Sequence, residues 1–445
     1  MNTLVLYAWF PIVVYLFIRF PPQRALVISF VTAWLFLPLA EFKLPGLPVE
    51  YNKMSATYLA VLLATCLYNV DRFKVFRFHW FDIPIVVYCL CPFASSMTNG
   101  LGAYDGFSST IGQTMGWGVP YFLGRIYLNN FSGLRQLAIG IFYGGLLYAP
   151  LCLFETATHV NLHGLIYRFT AGAADIRYGA YRPSVFLQNG LVLGTWMMFA
   201  TLMGVVLWRT KTIKQIRNIP ISWIVGFLLV TFILVRATGA YSLLAAGLII
   251  VITAQWYRTG FLLWFIIGGM FIYLYLGVIG DFPGQEIIDF LTNFFDPERL
   301  QSLGFRFMNE EVLSAKARQR ILFGWGGFGR NMLYKEGGYV ITITDSLWII
   351  AFGINGLVGL VSVFTALLLP VLGFWYFYPP ASWSHPNIVI AAAIAAGLAM
   401  YALDCVLNAF PNPIYTLAGG GLTGVLLTRE SQGFPARQPL VRQVR

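Results

Sequence analysis

Asp345-Ser-Leu-Trp-Ile-Ile-Ala-Phe-Gly-Ile-Asn-Gly-Leu-Val-Gly359 begins with a carboxylate and opens an apolar run that continues to residue 374. A run of this length crosses a bilayer as a helix. A carboxylate at the lip of such a helix is costly to desolvate and asks for a reason. Similar runs recur at 4–19, 25–40, 55–70, 80–96, 107–124, 136–157, 184–208, 220–236, 239–256, 260–279, 388–408 and 412–428. With 344–374 they predict roughly thirteen transmembrane helices, or about twelve if the Gly-, Ser- and Thr-rich stretch 107–124 is re-entrant. A membrane barrel would need short alternating segments instead. The chain is 58% hydrophobic and only 11% charged, against about 25% charged residues in soluble proteins. The expected fold is all-α, a single polytopic helical membrane domain over residues 1–445.

Within that domain, residues 280–344 are expected to form one external helical subdomain between spans. Residues 285–295 carry apolar side chains at helical spacing and should lie along the interface. Asp296-Pro-Glu punctuates the sequence, and a second helix at 302–321 carries Arg306, Glu310, Glu311, Lys316, Arg318 and Arg320. Phe323-Gly-Trp-Gly-Gly-Phe-Gly329 then breaks the helix in a glycine-rich turn. It is not a phosphate-binding P-loop, because no Gly-Lys-Ser/Thr follows and no strand precedes it. It reads as a tight turn that packs through its Phe and Trp.

Sidedness follows from the basic residues. One set of loops holds Arg19 and Arg24; Arg72, Lys74 and Arg77; Arg125 and Arg135; Arg209, Lys211, Lys214 and Arg217; and Arg258, with Arg429, Arg437, Arg442 and Arg445 in the tail. This set is assigned to the cytoplasm, which leaves loops 158–184 and 280–343 outside. The net charge of +11 is explained by anchoring against anionic headgroups, so no nucleic-acid partner is expected. The five cysteines, Cys66, Cys89, Cys91, Cys152 and Cys405, all fall in apolar runs and read as small buried hydrophobes. The first run has no basic leader and no small-residue cleavage site, and is expected to stay as a helix.

Arginine is the residue of choice for phosphate, because its planar fork donates paired hydrogen bonds and keeps its charge. The external face supplies Arg177 and Arg182 before one span, Arg236 at the end of another, and Arg306, Arg318 and Arg320 on the external helix. Arg306 and Arg320 are about 21 Å apart along a helix, too far to clamp one phosphate together. Each arginine has an ordinary alternative, a lipid headgroup or an ion pair with Glu310 or Glu311. Asp345 likewise has two readings: it caps the N-terminus of its helix, or it accepts a proton from a hydroxyl nucleophile. His159 and His163, one turn apart with Glu155 on the same face, have the spacing of a metal pair but lack a clear third ligand. Headgroup or sugar contact is the alternative, and no metal or cofactor is expected.

Four elements in order then resemble the O-antigen ligase and O-antigen polymerase superfamily, the integral membrane glycosyltransferases of bacterial surface polysaccharides. Arg182-Pro-Ser-Val-Phe-Leu-Gln-Asn189-Gly opens a span as the family's arginine and Asn-bearing segment do. Arg236-Ala-Thr-Gly-Ala-Tyr-Ser is similar to its Thr-x-Ser-Arg-Gly segment. Arg306, followed by Gly324-Trp-Gly, resembles its arginine helix leading into a glycine turn. Asp345-Ser346 with Gly356-x-x-Gly359 resembles its His-Asn/Ser/Gln … Gly-x-x-Gly signature, with Asp345 where the family has histidine.

The resemblance covers residues 180–360 and implies a GT-C-like enzyme in the bacterial inner (cytoplasmic) membrane, its active site facing the periplasm. The donor would be an oligosaccharide on undecaprenyl pyrophosphate. Arg182 and Arg306 would neutralise the diphosphate leaving group where other glycosyltransferases use a metal, and Asp345 would take the proton of the attacking hydroxyl, inverting the anomeric centre. Arg177, Arg236, Arg318, Arg320, Glu310, Glu311, Asn189 and Ser346 would line the substrate site, with Glu310 or Glu311 as the alternative base. The acceptor would be a second lipid-linked repeat unit, as in a polymerase, or lipid A-core, as in a ligase; aspartate in place of histidine favours the polymerase. Membrane lipid and a chain-length regulator or export component are the other expected partners. The rival readings are a flippase for the same lipid-linked substrate, which would place charges deep within spans, and an assembly scaffold.

Overall fold

The computed structural model describes residues 2–43, 50–170, 176–177, 180–293, 297–335 and 339–431. The first part of the chain carries α1 (Asn2–Arg19), α2 (Pro22–Phe36), α3 (Lys53–Tyr68), α4 (Ile83–Thr98), α5 (Ala103–Gln113), α6 (Val119–Tyr127), α7 (Phe131–Thr158), the short α8 (Leu162–Tyr167) and α9 (Gly190–Arg209). It continues through α10 (Ile221–Leu234), α11 (Thr238–Tyr257), α12 (Phe261–Ile279), α13 (Gly284–Leu291), α14 (Pro297–Ala317), α15 (Leu347–Phe377), α16 (Pro386–Leu407) and α17 (Pro413–Ser431). Strand pairing among the described residues is confined to two-residue hairpins and one isolated antiparallel bridge between Tyr334 and Val340. The protein is an all-α, polytopic helical protein, and eight of its described helices are long and apolar enough to cross a membrane.

Every apolar run read from the sequence is met by a helix, with three adjustments. The run 184–208 becomes helical only at Gly190, because Asn189 accepts from the Leu191 and Val192 amides and caps α9 there. The weak run 107–124 passes from α5 through a π-helical turn, Thr114–Gly118, into α6 without leaving helical geometry. Its two ends lie at opposite ends of α4: Ser96 donates to Asp105 at 2.7 Å, and Arg125 pairs with Asp82 at 2.9 Å. It therefore traverses the bundle and is not re-entrant. Within residues 280–344 α13 ends at Leu291 and α14 starts at Pro297, a residue preorganised for the first helical turn. Asp296 lies outside the described residues.

The centre of the bundle is α9 and α16, whose apolar windows are 89% and 83% buried, whereas α1 and α12, at 22% and 28%, form the rim. Small residues let the centre close: Ala391, Ala392, Ala393, Ala395 and Ala396 of α16 are all buried. The tightest seam joins α6 and α17, where a Cβ on Gly124 would stand 2.1 Å from the Leu417 carbonyl and one on Gly420 2.0 Å from the Tyr121 carbonyl. Four of the five cysteines are buried as small apolar groups, and Cys66 faces outward from α3.

Antiparallel packing sorts the loops. One end of the bundle gathers the C-termini of α4, α7, α10, α12 and α16 with the N-termini of α9, α11 and α15. The opposite end gathers the turns that hold Arg24, Arg72, Lys74, Arg77, Arg125, Arg135, Arg209, Lys211, Lys214, Arg217 and Arg258. The tail positions Arg437, Arg442 and Arg445 lie outside the described residues.

α15 is the joint of the structure. Its 31 residues would be about 46 Å long as one rod, against a hydrocarbon core of about 30 Å. It is broken at Gly356, with φ 66° and ψ −161°. A break inside a bilayer strands backbone groups that have no water to turn to. The segment 321–326 supplies the partners. Trp325 and Gly326 amides donate to the Gly353 and Ile354 carbonyls at 2.9 and 3.0 Å, and the Leu357 and Val358 amides donate to the Ile321 and Leu322 carbonyls at 2.8 and 3.2 Å. Ser95 and Asn99 of α4 hold the same segment by donating to the Phe323 and Gly324 carbonyls at 2.5 and 2.8 Å.

No side chain fits this crossing: a Cβ on Gly356 would lie 2.3 Å from the Leu322 carbonyl carbon, and one on Gly324 2.5 Å from that of Ile354. Gly356→Ala is therefore expected to cost at least about 2 kcal/mol through positive-φ strain and backbone overlap. It should lower the thermal midpoint of the detergent-purified protein. Gly112→Ala, where a Cβ meets nothing within 4 Å, should leave the midpoint in place. Equal midpoints for the two variants would contradict the joint.

Candidate functional site

The end that collects loops 158–184 and 280–343 is built on the C-terminus of α16. Asn408 caps that helix, its amide donating to the Asp404 carbonyl and its Nδ2 to Asp404 Oδ1, both at 2.8 Å. Asp404 Oδ2 accepts from Thr195 of α9 at 3.2 Å. Arg306, projecting from α14, places Nη1 on the Leu407 carbonyl at 2.9 Å and on Asn408 Oδ1 at 3.3 Å, a cation where the helix dipole favours one. Its Nε stands 3.8 Å from Asp345 Oδ2, with the side chains 20% and 40% exposed. The Leu347 amide donates to the Asn408 carbonyl at 3.2 Å, so the start of α15 and the end of α16 are tied together beneath this ion pair.

Asp345 does not cap its helix. The capping position is Ser346, and its hydroxyl turns away from the α15 amides to donate to Glu310 Oε1 at 2.6 Å. Asp345 is left beside Arg306 with its side chain 40% exposed. Glu310 is its opposite: buried, and accepting from Ser346, from Trp348 Nε1 at 3.1 Å and from the Tyr273 hydroxyl at 2.5 Å. Burial pushes the Glu310 pKa up, while its three donors and the Arg306 charge pull the other way. Glu310 ties α12, α14 and α15 together, whereas its neighbour Glu311 is exposed.

The other arginines diverge. Arg318 donates to the Val278 carbonyl at 3.3 Å and to Ser314 Oγ at 3.2 Å, at the C-terminal end of α12. The Arg320 guanidinium lies over the Trp325 ring at 5.5 Å, beside Lys316 at 5.2 Å. Neither joins Arg306. The side chain of Arg177 lies outside the described residues.

Arg182 is positioned from α7. The fully buried Glu155 accepts from the Val185 amide at 2.6 Å, the Tyr181 hydroxyl at 3.1 Å and Asn161 Nδ2 at 3.3 Å, pinning the loop on both sides of Arg182. The arginine is itself buried and lies flat on α9, where a Cβ on Gly190 would stand 2.5 Å from its Nε. Arg236, at φ 58° in the turn between α10 and α11, shares with Arg182 the neighbourhood of the Tyr241 hydroxyl. Asn189 is engaged in capping α9. Further along the same helix stands Thr195, the donor to Asp404.

The two histidines serve the loop. His159 stacks on Tyr181 at 5.4 Å, and His163 uses Nε2 to accept from the Leu39 amide at 3.2 Å and Nδ1 toward the Phe169 carbonyl at 2.6 Å. With Glu155 committed to the 181–185 loop, they do not form a metal centre, and no cluster of three metal-ligating side chains occurs among the described residues.

A cavity of about 640 Å³ opens between the end of α12, α13 and α14. Glu310, Glu311, Tyr273 and Trp348 line it, whereas Arg182, Arg306 and Asp345 do not. The sequence reading missed Thr195, Tyr273, Asp404 as a partner, and Asn408. The Asp404 to Asn408 interval, one helical turn at the end of a span, is the signal that would have found the last two. No family model matches this chain, and no curated protein matches it.

Glu310 gives the site a pH signature. Its proton is held more tightly folded than unfolded, so its contribution to stability is complete below the ordinary value of 4.5 and is lost as pH rises through the raised folded value. The thermal midpoint of wild type should therefore fall, relative to Glu310→Gln, as pH rises above 4.5 through that window. Parallel midpoint curves for the two proteins would contradict the assignment.

Proposed function

We propose that the protein is a membrane glycosyltransferase that extends a surface polysaccharide from repeat units carried on undecaprenyl pyrophosphate, at the periplasmic face of a bacterial inner membrane. The observation that carries this reading is the Arg306–Asp345 pair, held on the end of α16 by Asn408 and Asp404. A guanidinium anchored through Nη1 keeps other donors for an anion, and a half-exposed carboxylate beside it has open lone pairs for a hydroxyl proton. A diphosphate leaving group and a sugar hydroxyl need this combination, at a membrane end where a prenyl chain can lie among the helices.

In the proposed reaction the acceptor hydroxyl attacks the anomeric carbon of the donor. The new C–O bond forms as the bond to the pyrophosphate oxygen breaks. The hydroxyl proton goes to Asp345, and the electron pair leaves with the diphosphate, whose charge Arg306 meets, with Arg182 as the second cation of the same end. One displacement inverts the anomeric centre. Glu310 is a positioning residue in this scheme, because its acceptor capacity is largely taken by Ser346, Trp348 and Tyr273, which leaves Asp345 as the base.

Two supporting features are the collection of Arg182, Arg236, Arg306 and Asp345 at one end of the bundle, and the confinement of Asp82, Glu155 and Asp404 to the ends of their helices, where a translocation path would need charges at mid-span.

The test is purified protein in lipid nanodiscs with an undecaprenyl-pyrophosphate-linked repeat unit, products sized on a gel. Wild type should produce a ladder. Arg306→Ala and Asp345→Asn should each lose about 100-fold or more in rate, and Asp345→His should keep part of it. A wild-type ladder from both Arg306→Ala and Asp345→Asn would refute the assignment. Transfer to lipid A-core alone would make the protein a ligase.

A further inference from the structure

The cavity between α12, α13 and α14 is separate from the Arg306–Asp345 pair but shares a wall with it. Arg306 and Glu310 are one turn apart on α14, and Glu310 holds Ser346, the residue next to Asp345. The floor is made by Tyr273, Gly277, Trp348 and Glu310, and Gly277 is what admits the Trp348 ring, since a Cβ there would stand 2.8 Å from it. The rim carries the exposed Gln285, Glu286, Gln301 and Glu311. Phe282, Phe305 and Phe307 add aromatic faces.

The lining is specific in what it refuses. It holds the carboxylates Glu286, Glu310 and Glu311 and, among the described residues, no lysine or arginine. Two guanidiniums stand behind the lining and are turned onto other partners, Arg318 onto the Val278 carbonyl and Ser314, and Arg306 onto the Leu407 carbonyl and Asn408. An anionic group entering here would meet the like charge of Glu286 and Glu311 in a half-enclosed space, at a cost that grows as water is excluded, whereas burial favours the neutral form of Glu310. A hydroxyl-rich ring meets the reverse. The rim carboxylates Glu286 and Glu311 accept from its hydroxyls, the two glutamine amides both donate and accept, and aromatic faces cover its C–H surface. At about 640 Å³ the cavity lies in the range of sites that hold small molecules.

We propose that this cavity is the acceptor subsite, binding the non-phosphorylated sugars of the incoming glycan and presenting a hydroxyl across Ser346 to Asp345, while the diphosphate stays on the arginine side of α14. The inference rests on the glycosyltransferase reading for the role of acceptor; the sugar-binding claim itself is tested without turnover.

The full-length protein in nanodiscs is examined by saturation-transfer NMR with repeat-unit oligosaccharide released by mild acid from the cell's own surface polysaccharide, with inorganic pyrophosphate as competitor. Wild type should bind the oligosaccharide, and pyrophosphate should not displace it. Gly304→Phe fills the cavity from a position whose nearest neighbours, the Ile288 side-chain carbons, are 3.9 Å from a Cβ, and should abolish the signal. Glu311→Gln, a change at an exposed position that leaves the fold alone, should weaken binding about tenfold. No binding to wild type, displacement by pyrophosphate, or undiminished binding to both variants would overturn the proposal. In the ladder assay, loss of chain extension by Gly304→Phe supports the acceptor role, and full extension by it overturns that role while leaving the glycosyltransferase reading intact. Oligosaccharide binding that Gly304→Phe abolishes, in a wild-type protein that builds no ladder, would instead uphold the sugar site and remove the transferase.

Discussion

The unsatisfied backbone at Gly356 governs how this molecule is put together. A helix broken inside an apolar bundle exposes carbonyls and amides whose only recourse is another piece of protein. Segment 321–326 answers with donors and acceptors in register, and it can come so close because Gly324 and Gly356 carry no side chain. Docking that segment fixes where α14 ends, and so where the residues of α14 fall relative to the start of α15. Arg306 beside Asp345, and Glu310 beneath Ser346, are downstream results of a backbone hydrogen-bonding requirement.

A second constraint acts on charge. Carboxylates at or near the membrane-spanning helices of this protein are neutralised or saturated locally: Asp82 by Arg125 and Tyr121, Glu155 by the 181–185 loop, Asp404 by Asn408 and Thr195, and Glu310 by its three donors. Asp345 differs in having one guanidinium at 3.8 Å and open lone pairs. Uneven satisfaction separates Asp345 from the carboxylates that hold the bundle together.

The sequence announced what depends on local pattern. Apolar runs placed the helices, and the alternation of basic loops matches the two ends of the bundle. It did not announce destinations. Gly356 and Gly359 were legible as a motif but not as a break, because the break exists only with a partner more than thirty residues upstream. Asp ahead of Ser at a helix start reads as a cap, yet Ser346 takes the capping position and gives its hydroxyl to Glu310, a choice set by tertiary contact. Arg306, Arg318 and Arg320 look alike along one helix. The carbonyls of Leu407 and Val278 and the ring of Trp325, none visible from α14 itself, send them to three places.

The tie through Glu310 also separates α13 from α14. Lifting α14 would strip three donors from a buried carboxylate and leave it stranded. α13 carries no comparable anchor: its described side-chain hydrogen bonds run within or just beyond the helix, as from Gln285 to Asp289, and Phe282 at its approach meets Tyr273 and Phe307 through rings alone. The cavity thus has one jaw tied through a buried carboxylate and one that meets Tyr273 and Phe307 through the ring of Phe282. Strain at this end of the molecule would therefore fall first on residues 281–284, the approach to α13, before it reached the hydrogen bonds that fix α14.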